Sequence, residues 1–381
     1  MSAVVFERAA HPVLLRQHPA TRLRWPARRG PYQDNGASPW YSTVRIGSGA
    51  GARELKLNID TGARFSWVML AECESEACMM PARRLFEPAA SPSYRGQGGE
   101  PLRIDFGHWG EMRARPGSEL LALPDDSAAL RLRLHGAIRC DGEQFCELNW
   151  DGGLGIPNGL SPDPHATHLV EALLNAGLLA PEDAFVSFLM DPASGTGTVE
   201  IGRYDSAAVD PSSAVELPFS PYVDGLDYIW TTPLRSWRVG AVEVARDVLF
   251  CHDTGASHFK GDPLLLAEAL RQVGLQHERD GQPPALSLSV GRHRASGRPA
   301  TLVLEPGQYL GEIEAGHGQG QATANLQPLA GYDGLVLAGS VLLDHVCTVY
   351  RFEVSGSPGR YRVSPGTTLM FNKRGGPKVI R

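Results

Sequence analysis

The chain contains the same four-residue phrase twice, each time at the end of an alternating apolar run. LNIDTGARFSWV at 57–68 leads into Asp60-Thr61-Gly62, and LFCHDTGASHF at 249–259 leads into Asp253-Thr254-Gly255. Each copy is followed, at a similar interval, by a second shared element. These are WDGGLGIPNG at 150–159 and YDGLVLAGSVLL at 332–343, an Asp-Gly and then an apolar run closing on Gly155 or Gly339. A single Asp-Thr-Gly is an ordinary turn, because Asp bonds its own backbone and Gly tolerates positive φ. Two copies in register with two downstream glycine strands point to duplication of a whole folding unit. At 381 residues the chain has room for two such units, each with its own core.

Period-two alternation dominates. Leu55, Leu57 and Ile59 fall on one strand face, as do Leu102, Ile104 and Phe106, and then Leu132 and Leu134. DAFVSFLMD, GTVEIGRYD, LDYIWTTPL and CTVYRFEVS continue the pattern, and 43 Gly and 29 Pro punctuate it, so the expected class is all-β with a few short helices. One helix is expected in HATHLVEALLNAGLL, with Leu169, Ala172, Leu173 and Ala176 as its apolar stripe. Another is expected in GDPLLLAEALRQVGL, with Asp262 as N-cap, Pro263 at the first helical position and Gly274 as the stop. GSGAGA at 47–52 lacks the Lys-Ser/Thr of a phosphate loop and reads as a hairpin turn. The basic segment 1–36 reads either as a prosegment or as an N-terminal strand with a solvated tail. A first lobe over 37–205 and a second over 206–381 complete the expected organisation.

Apolar content of 42% with 20% charged residues suits a soluble globular protein, and no run approaches the roughly 18 apolar residues of a membrane helix. A net charge of −6 and the lack of a basic stripe argue against nucleic acid as a partner. Glu7, Arg8, His11 and Arg16 interrupt any apolar core of a secretory signal, so a cytoplasmic location is expected. Cys73 and Cys78, and Cys140 and Cys146, are close enough in sequence to bridge, but a cytoplasmic chain is expected to keep them as free thiols. No Cys/His array has zinc-site spacing. His165 and His168 have helical pair spacing without a third ligand, and no metal is expected. His252 precedes Asp253 on a strand and so points to the opposite face, as a packed histidine.

From about Trp40 to about Phe352 the chain resembles the pepsin-like aspartic proteases. LNIDTGARFSWV is similar to that family's first active-site strand and loop, including Trp67, and LFCHDTGASHFKGDP to its second. CESEACMMPARRLFEPAASPSY resembles its short cysteine loop, and HATHLVEALLNAGLLAPEDAFVSFLMDPASGTGTVEIGRYD the helix and strands between its lobes. The resemblance implies a two-lobed fold with a central cleft, with Asp60 and Asp253 as the catalytic pair and neither cofactor nor metal. It also implies that Thr61 and Thr254 bond across the lobes and that Gly62 and Gly255 bring N–H groups to the carboxylates. A family flap tyrosine has no counterpart in LRIDFGHWGEMRAR. Phe106 takes its place by alternation, with Trp109 the other register, so the phenol's contact to Trp67 is missing.

Amide hydrolysis needs a base for water and an acid for the leaving nitrogen, and two carboxyls sharing one proton supply both. The aspartic-protease dyad is itself the standard illustration of that effect. The expected activity is therefore that of an aspartic endopeptidase, acting as a monomer on extended polypeptide. The rival reading is a pepsin-like fold that binds peptides without cutting them. A carbohydrate-active enzyme with two carboxylates fits less well, because such acids lack the duplicated Thr-Gly context.

Overall fold

The structure is a computed structural model that describes residues 23–124 and 128–381. Of the arm expected over 1–36, residues 1–22 lie outside the described residues. The part that follows is built into the sheet. Arg24–Arg29 is a strand pairing antiparallel with Thr196–Ile201 on one side and Trp40–Ile46 on the other. Its alternation buries Trp25 and Ala27 and turns the arginines outward.

The sequence duplication is a structural one. In the first half, strand Arg53–Asp60 runs parallel to Gly152–Gly155, with Asp60 opposite Gly155. In the second, Val242–His252 runs parallel to Leu335–Ala338, with His252 opposite Ala338. Each Asp-Thr-Gly therefore leaves a strand end that a parallel neighbour clamps. The glycines closing these neighbours are needed for space. A Cβ on Gly155 would stand 2.6 Å from the Phe65 carbonyl oxygen, and one on Gly339 would stand 2.2 Å from that of Ala256.

Two large apolar clusters lie on either side. One gathers Trp25, Val44, Leu55, Leu57, Leu132, Leu134 and Val186, and the other Trp237, Phe250, Phe259, Leu288, Leu302 and Val336. Strands also cross between the halves, since Phe185–Asp191 pairs with Val346–Ser355. GSGAGA forms the expected turn, a short 3-10 segment between Trp40–Ile46 and Arg53–Asp60. Among the described residues no helix is long and apolar enough to cross a membrane.

Three expectations are corrected. The helix after the second Asp-Thr-Gly starts as read, with the Asp262 carboxylate accepting from Leu264 N and Leu265 N, but it runs through Pro263–Asp280. Gly274 is interior. The stop is Gly281, left-handed at φ 71°, and the extra turns are held by buried Gln276, whose Nε2 donates to the Val239 carbonyl at 2.8 Å. In Leu169–Asn175 the buried face is Leu169, Val170, Leu173 and Leu174, because the larger side chains outcompete Ala172 and Ala176 for the core. Cys73 and Cys78 are not free thiols. Their Cα atoms stand 6.0 Å apart at the ends of a tight loop, within bridging range, and they form a disulfide. Cys140 and Cys146 remain free, with the Cys140 sulfur within 4.8 Å of both bridged ones.

The halves are tied by a buried polar contact. Trp40 Nε1 donates to Asp344 Oδ1 at 2.8 Å. Burial pushes the Asp344 carboxyl up to about 7, against the pull of Lys373, the Trp40 bond and Arg29. Its folded value lies above its unfolded value, so its contribution to stability is fully present in acid and is lost as pH rises from about 4 to about 7. Asp344→Asn keeps an acceptor for Trp40 without a titrating group. Its Tm relative to the parent is expected to climb steadily across that window, as read by calorimetry in a pH series. A difference that stays flat with pH would show that Asp344 is ionised throughout.

Candidate active site

Asp60 and Asp253 meet where the two clamped strand ends approach each other. Gly62 N donates to Asp60 Oδ1 at 2.7 Å, and Gly255 N donates to Asp253 Oδ1 at 2.8 Å. Neither glycine has a positive φ, and the reason for glycine is again space. A Cβ on Gly62 would lie 2.5 Å from the Asp253 carboxyl, and one on Gly255 would lie 2.3 Å from that of Asp60. Each glycine thus presents its bare Cα to the opposite aspartate, which holds the two carboxyls face to face.

The threonines lock that spacing from behind. Thr61 N donates to Thr254 Oγ1 and Thr254 N to Thr61 Oγ1, each at 3.0 Å. Thr254 Oγ1 then donates to the Ile59 carbonyl at 2.7 Å, and Thr61 Oγ1 to that of His252 at 3.4 Å. Both hydroxyls therefore accept and donate across the junction, the full use of a buried hydroxyl.

Burial and the adjacent Asp253 charge hold Asp60 well above the ordinary carboxylate range. Burial also raises Asp253, opposed by the Gly255 N–H and the Lys260 charge. The carboxyls interact directly and are both raised, so they titrate as one unit, not as two independent groups. No hydroxyl follows either glycine, since Ala63 and Ala256 stand there.

Lys260 is a participant that the sequence reading missed. It lies buried on the short strand Phe259–Gly261, and its Nζ donates to the Gly36 carbonyl at 2.6 Å. Burial lowers it to about 8, while Asp253 and Asp60 pull it up. The available signal was a lysine close behind Asp253 in the segment HFKGDP.

The expected flap is a hairpin, Leu102–Asp105 against Glu111–Ala122, whose tip closes with Phe106 N donating to the Gly110 carbonyl. Phe106 and Trp109 both belong to this tip and stack, with ring centres 6.5 Å apart and planes 11° from parallel. They divide the work between them. Phe106 packs edge-on to Trp67 at 6.2 Å and Phe65 at 6.1 Å, whereas Trp109 lies 5.8 Å from the Lys260 ammonium of the opposite half. The aromatic cluster occupies the region that a phenol would otherwise bridge.

His252 is packed as expected, 5.1 Å from the Tyr350 ring. Burial lowers it to about 3, so it is neutral, and its Nδ1 has no partner among the described residues. His165 and His168 do not converge on a site. His165 Nδ1 faces Gln97 Oε1 at 3.3 Å, and His168 Nε2 donates to the Pro157 carbonyl at 2.9 Å.

Thr61→Val preserves shape but leaves the Thr254 N–H without its acceptor. The expected loss is about 1–3 kcal/mol in denaturant unfolding, the cost of a buried unpaired donor. Thr61→Ser, which restores the oxygen, is expected to recover most of it. Equal stability of the valine and serine variants would rule out the cross-junction bond as a structural determinant.

A family model described as "Eukaryotic aspartyl protease" matches residues 39–314, well over half of the chain and inclusive of both Asp-Thr-Gly loops. No curated protein matches the sequence. With two clamped Asp-Thr-Gly loops facing each other in a mainly β, pepsin-like fold, the chain belongs to the eukaryotic aspartyl protease family.

Proposed function

We propose that this protein is an aspartic endopeptidase in which Asp60 and Asp253 hold one water and share one proton. The observation that carries the reading is the buried, proton-sharing pair, with both carboxyls raised and each fixed by a glycine N–H. In the first step the ionised carboxyl, taken as Asp253, accepts a proton from the water as the water oxygen attacks the peptide carbonyl carbon. The protonated partner on Asp60 donates to the carbonyl oxygen, giving a neutral tetrahedral diol. The proton now on Asp253 passes to the nitrogen as the C–N bond breaks, and a diol proton returns to Asp60. The pair thus ends as it began, with one proton.

Both carboxyls come from a single chain, so the cleft needs no second copy to be complete. An extended substrate suits it, with its main chain added along the cleft edges and alternate side chains in pockets. The departure of the flap tip, Phe106 in place of a phenol, keeps the peptide-binding alternative as the competing reading.

Incubation with a denatured, mixed-sequence polypeptide across about pH 3 to 7, with and without a statine inhibitor, separates the two. Statine-sensitive cleavage is expected, and binding of statine without cleavage would favour the alternative. Asp60→Asn and Asp253→Asn are each expected to fold and to lose turnover to below a few per cent, since one carboxyl cannot be base and acid in the same cycle.

Raised carboxyls move both limbs of the activity profile upward. A hydroxyl donating to an ionised carboxylate favours the charged form and lowers its pKa. Ala63→Ser with Ala256→Thr is therefore expected to shift the pH profile toward acid, and a profile unmoved by the double substitution would refute this account of the pair.

A further inference from the structure

Arg64 lies two residues beyond Gly62, on the loop that carries Asp60. It is half-buried, its guanidinium carbon sits 5.6 Å from the centre of the Tyr228 ring, and its Nε is buried without a hydrogen-bond partner. It forms no ion pair among the described residues. Asp163, a carboxylate that feels the Arg64 charge, is already engaged, with Oδ2 3.2 Å from His135 Nε2 and Oδ1 accepting from His165 N at 2.7 Å. Arg64 acts on Asp163 only as a weak distant charge. Tyr228, the face on which Arg64 rests, is itself in electrostatic reach of Asp60 and Asp253. Arg64 therefore lies on the loop of Asp60 as a cation over an aromatic face that reaches the pair, with no ion pair among the described residues.

That arrangement is unfavourable for a structural arginine. A partly desolvated guanidinium whose buried Nε lacks an acceptor loses hydration with little return, and the Tyr228 face compensates only part of the loss. The planar fork matches a carboxylate in two parallel bonds, and stacking on a ring pre-orders it for that purpose. Lys260, the other buried cation near the pair, cannot play this part, since its ammonium is turned to the Gly36 carbonyl and the Trp109 face.

We propose that Arg64 receives a substrate carboxylate, the side chain of an Asp or Glu within one or two residues of the cleaved bond. The enzyme is thereby directed to acidic cleavage sites. This rests on the endopeptidase reading above and names its substrate class. The aromatic flap tip, Phe106 and Trp109, covers the apolar part of the same substrate, so the preferred site combines bulky apolar and acidic residues.

The test uses statine-centred peptides in Glu/Gln pairs, each pair differing at one of the two positions on either side of the statine. Binding is measured by calorimetry to the wild type, Arg64→Gln and Arg64→Glu. At one position the Glu peptide is expected to bind the wild type about tenfold more tightly than its Gln twin, the scale of one charge-assisted contact. Arg64→Gln is expected to erase that ratio, and Arg64→Glu to favour a Lys peptide at the same position. Added salt is expected to shrink the wild-type ratio. Equal binding of Glu and Gln peptides at every position, or a Glu preference that survives in Arg64→Gln, would overturn the assignment. If neutral statine peptides bind and polypeptide is cut without any acidic preference, only this inference falls. If nothing binds and nothing is cut, the endopeptidase reading falls and takes this one with it.

Discussion

Two carboxyl groups buried against each other constitute the constraint on which the rest of this molecule depends. Neither Asp60 nor Asp253 would be kept in such surroundings by its own loop. Each is positioned by a strand clamped parallel to a neighbour that ends in a glycine, and the two loops are joined by reciprocal threonine bonds. The cost of holding charge out of water is offset in part by a glycine N–H on each side. The glycines are required because any Cβ at 62 or 255 would occupy the opposing carboxyl.

Around that pair the charges are arranged asymmetrically. Lys260 stands behind the second aspartate and contacts the flap aromatic Trp109, so the covering hairpin of one half touches a cation of the other. Arg64 stands on the first loop, stacked on Tyr228. Ala63 and Ala256 supply no hydroxyl to either carboxylate, which leaves the backbone N–H groups and Lys260 to hold the charged form. The flap tip is held by edge-on ring contacts, Phe106 to Trp67 and Phe65 and Trp109 to Phe145.

Much of this was legible along the chain because it is written in local pattern. Alternation placed the strands before each Asp-Thr-Gly, the repeated Asp-Gly and glycine strands pointed to the duplication, and Asp262-Pro263 announced a helix start that the capping bonds bear out. The misses share a cause. Gly274 looked like a stop, yet the helix continued to Gly281 because Gln276 finds a carbonyl on a strand distant in sequence. Cys73 and Cys78 were read as thiols from an inferred compartment, whereas their bridging depends on a 6.0 Å separation created by the fold of the loop. The flap register could not be chosen from alternation because the tip is not a strand, and both candidate rings lie in it.

By itself the sequence determined that there are two equivalent units, that each carries one aspartate on a strand end, and that threonine and glycine stand beside it. Those are consequences of period, turn chemistry and duplication, all short-range. Tertiary structure alone decided which groups those aspartates feel. Lys260, Tyr228 and Trp109 come from separate elements, and nothing in their local patterns directs them to one cleft. Their roles arise from proximity across the junction of the halves, where burial removes water and lets charges a few ångströms apart set each other's protonation.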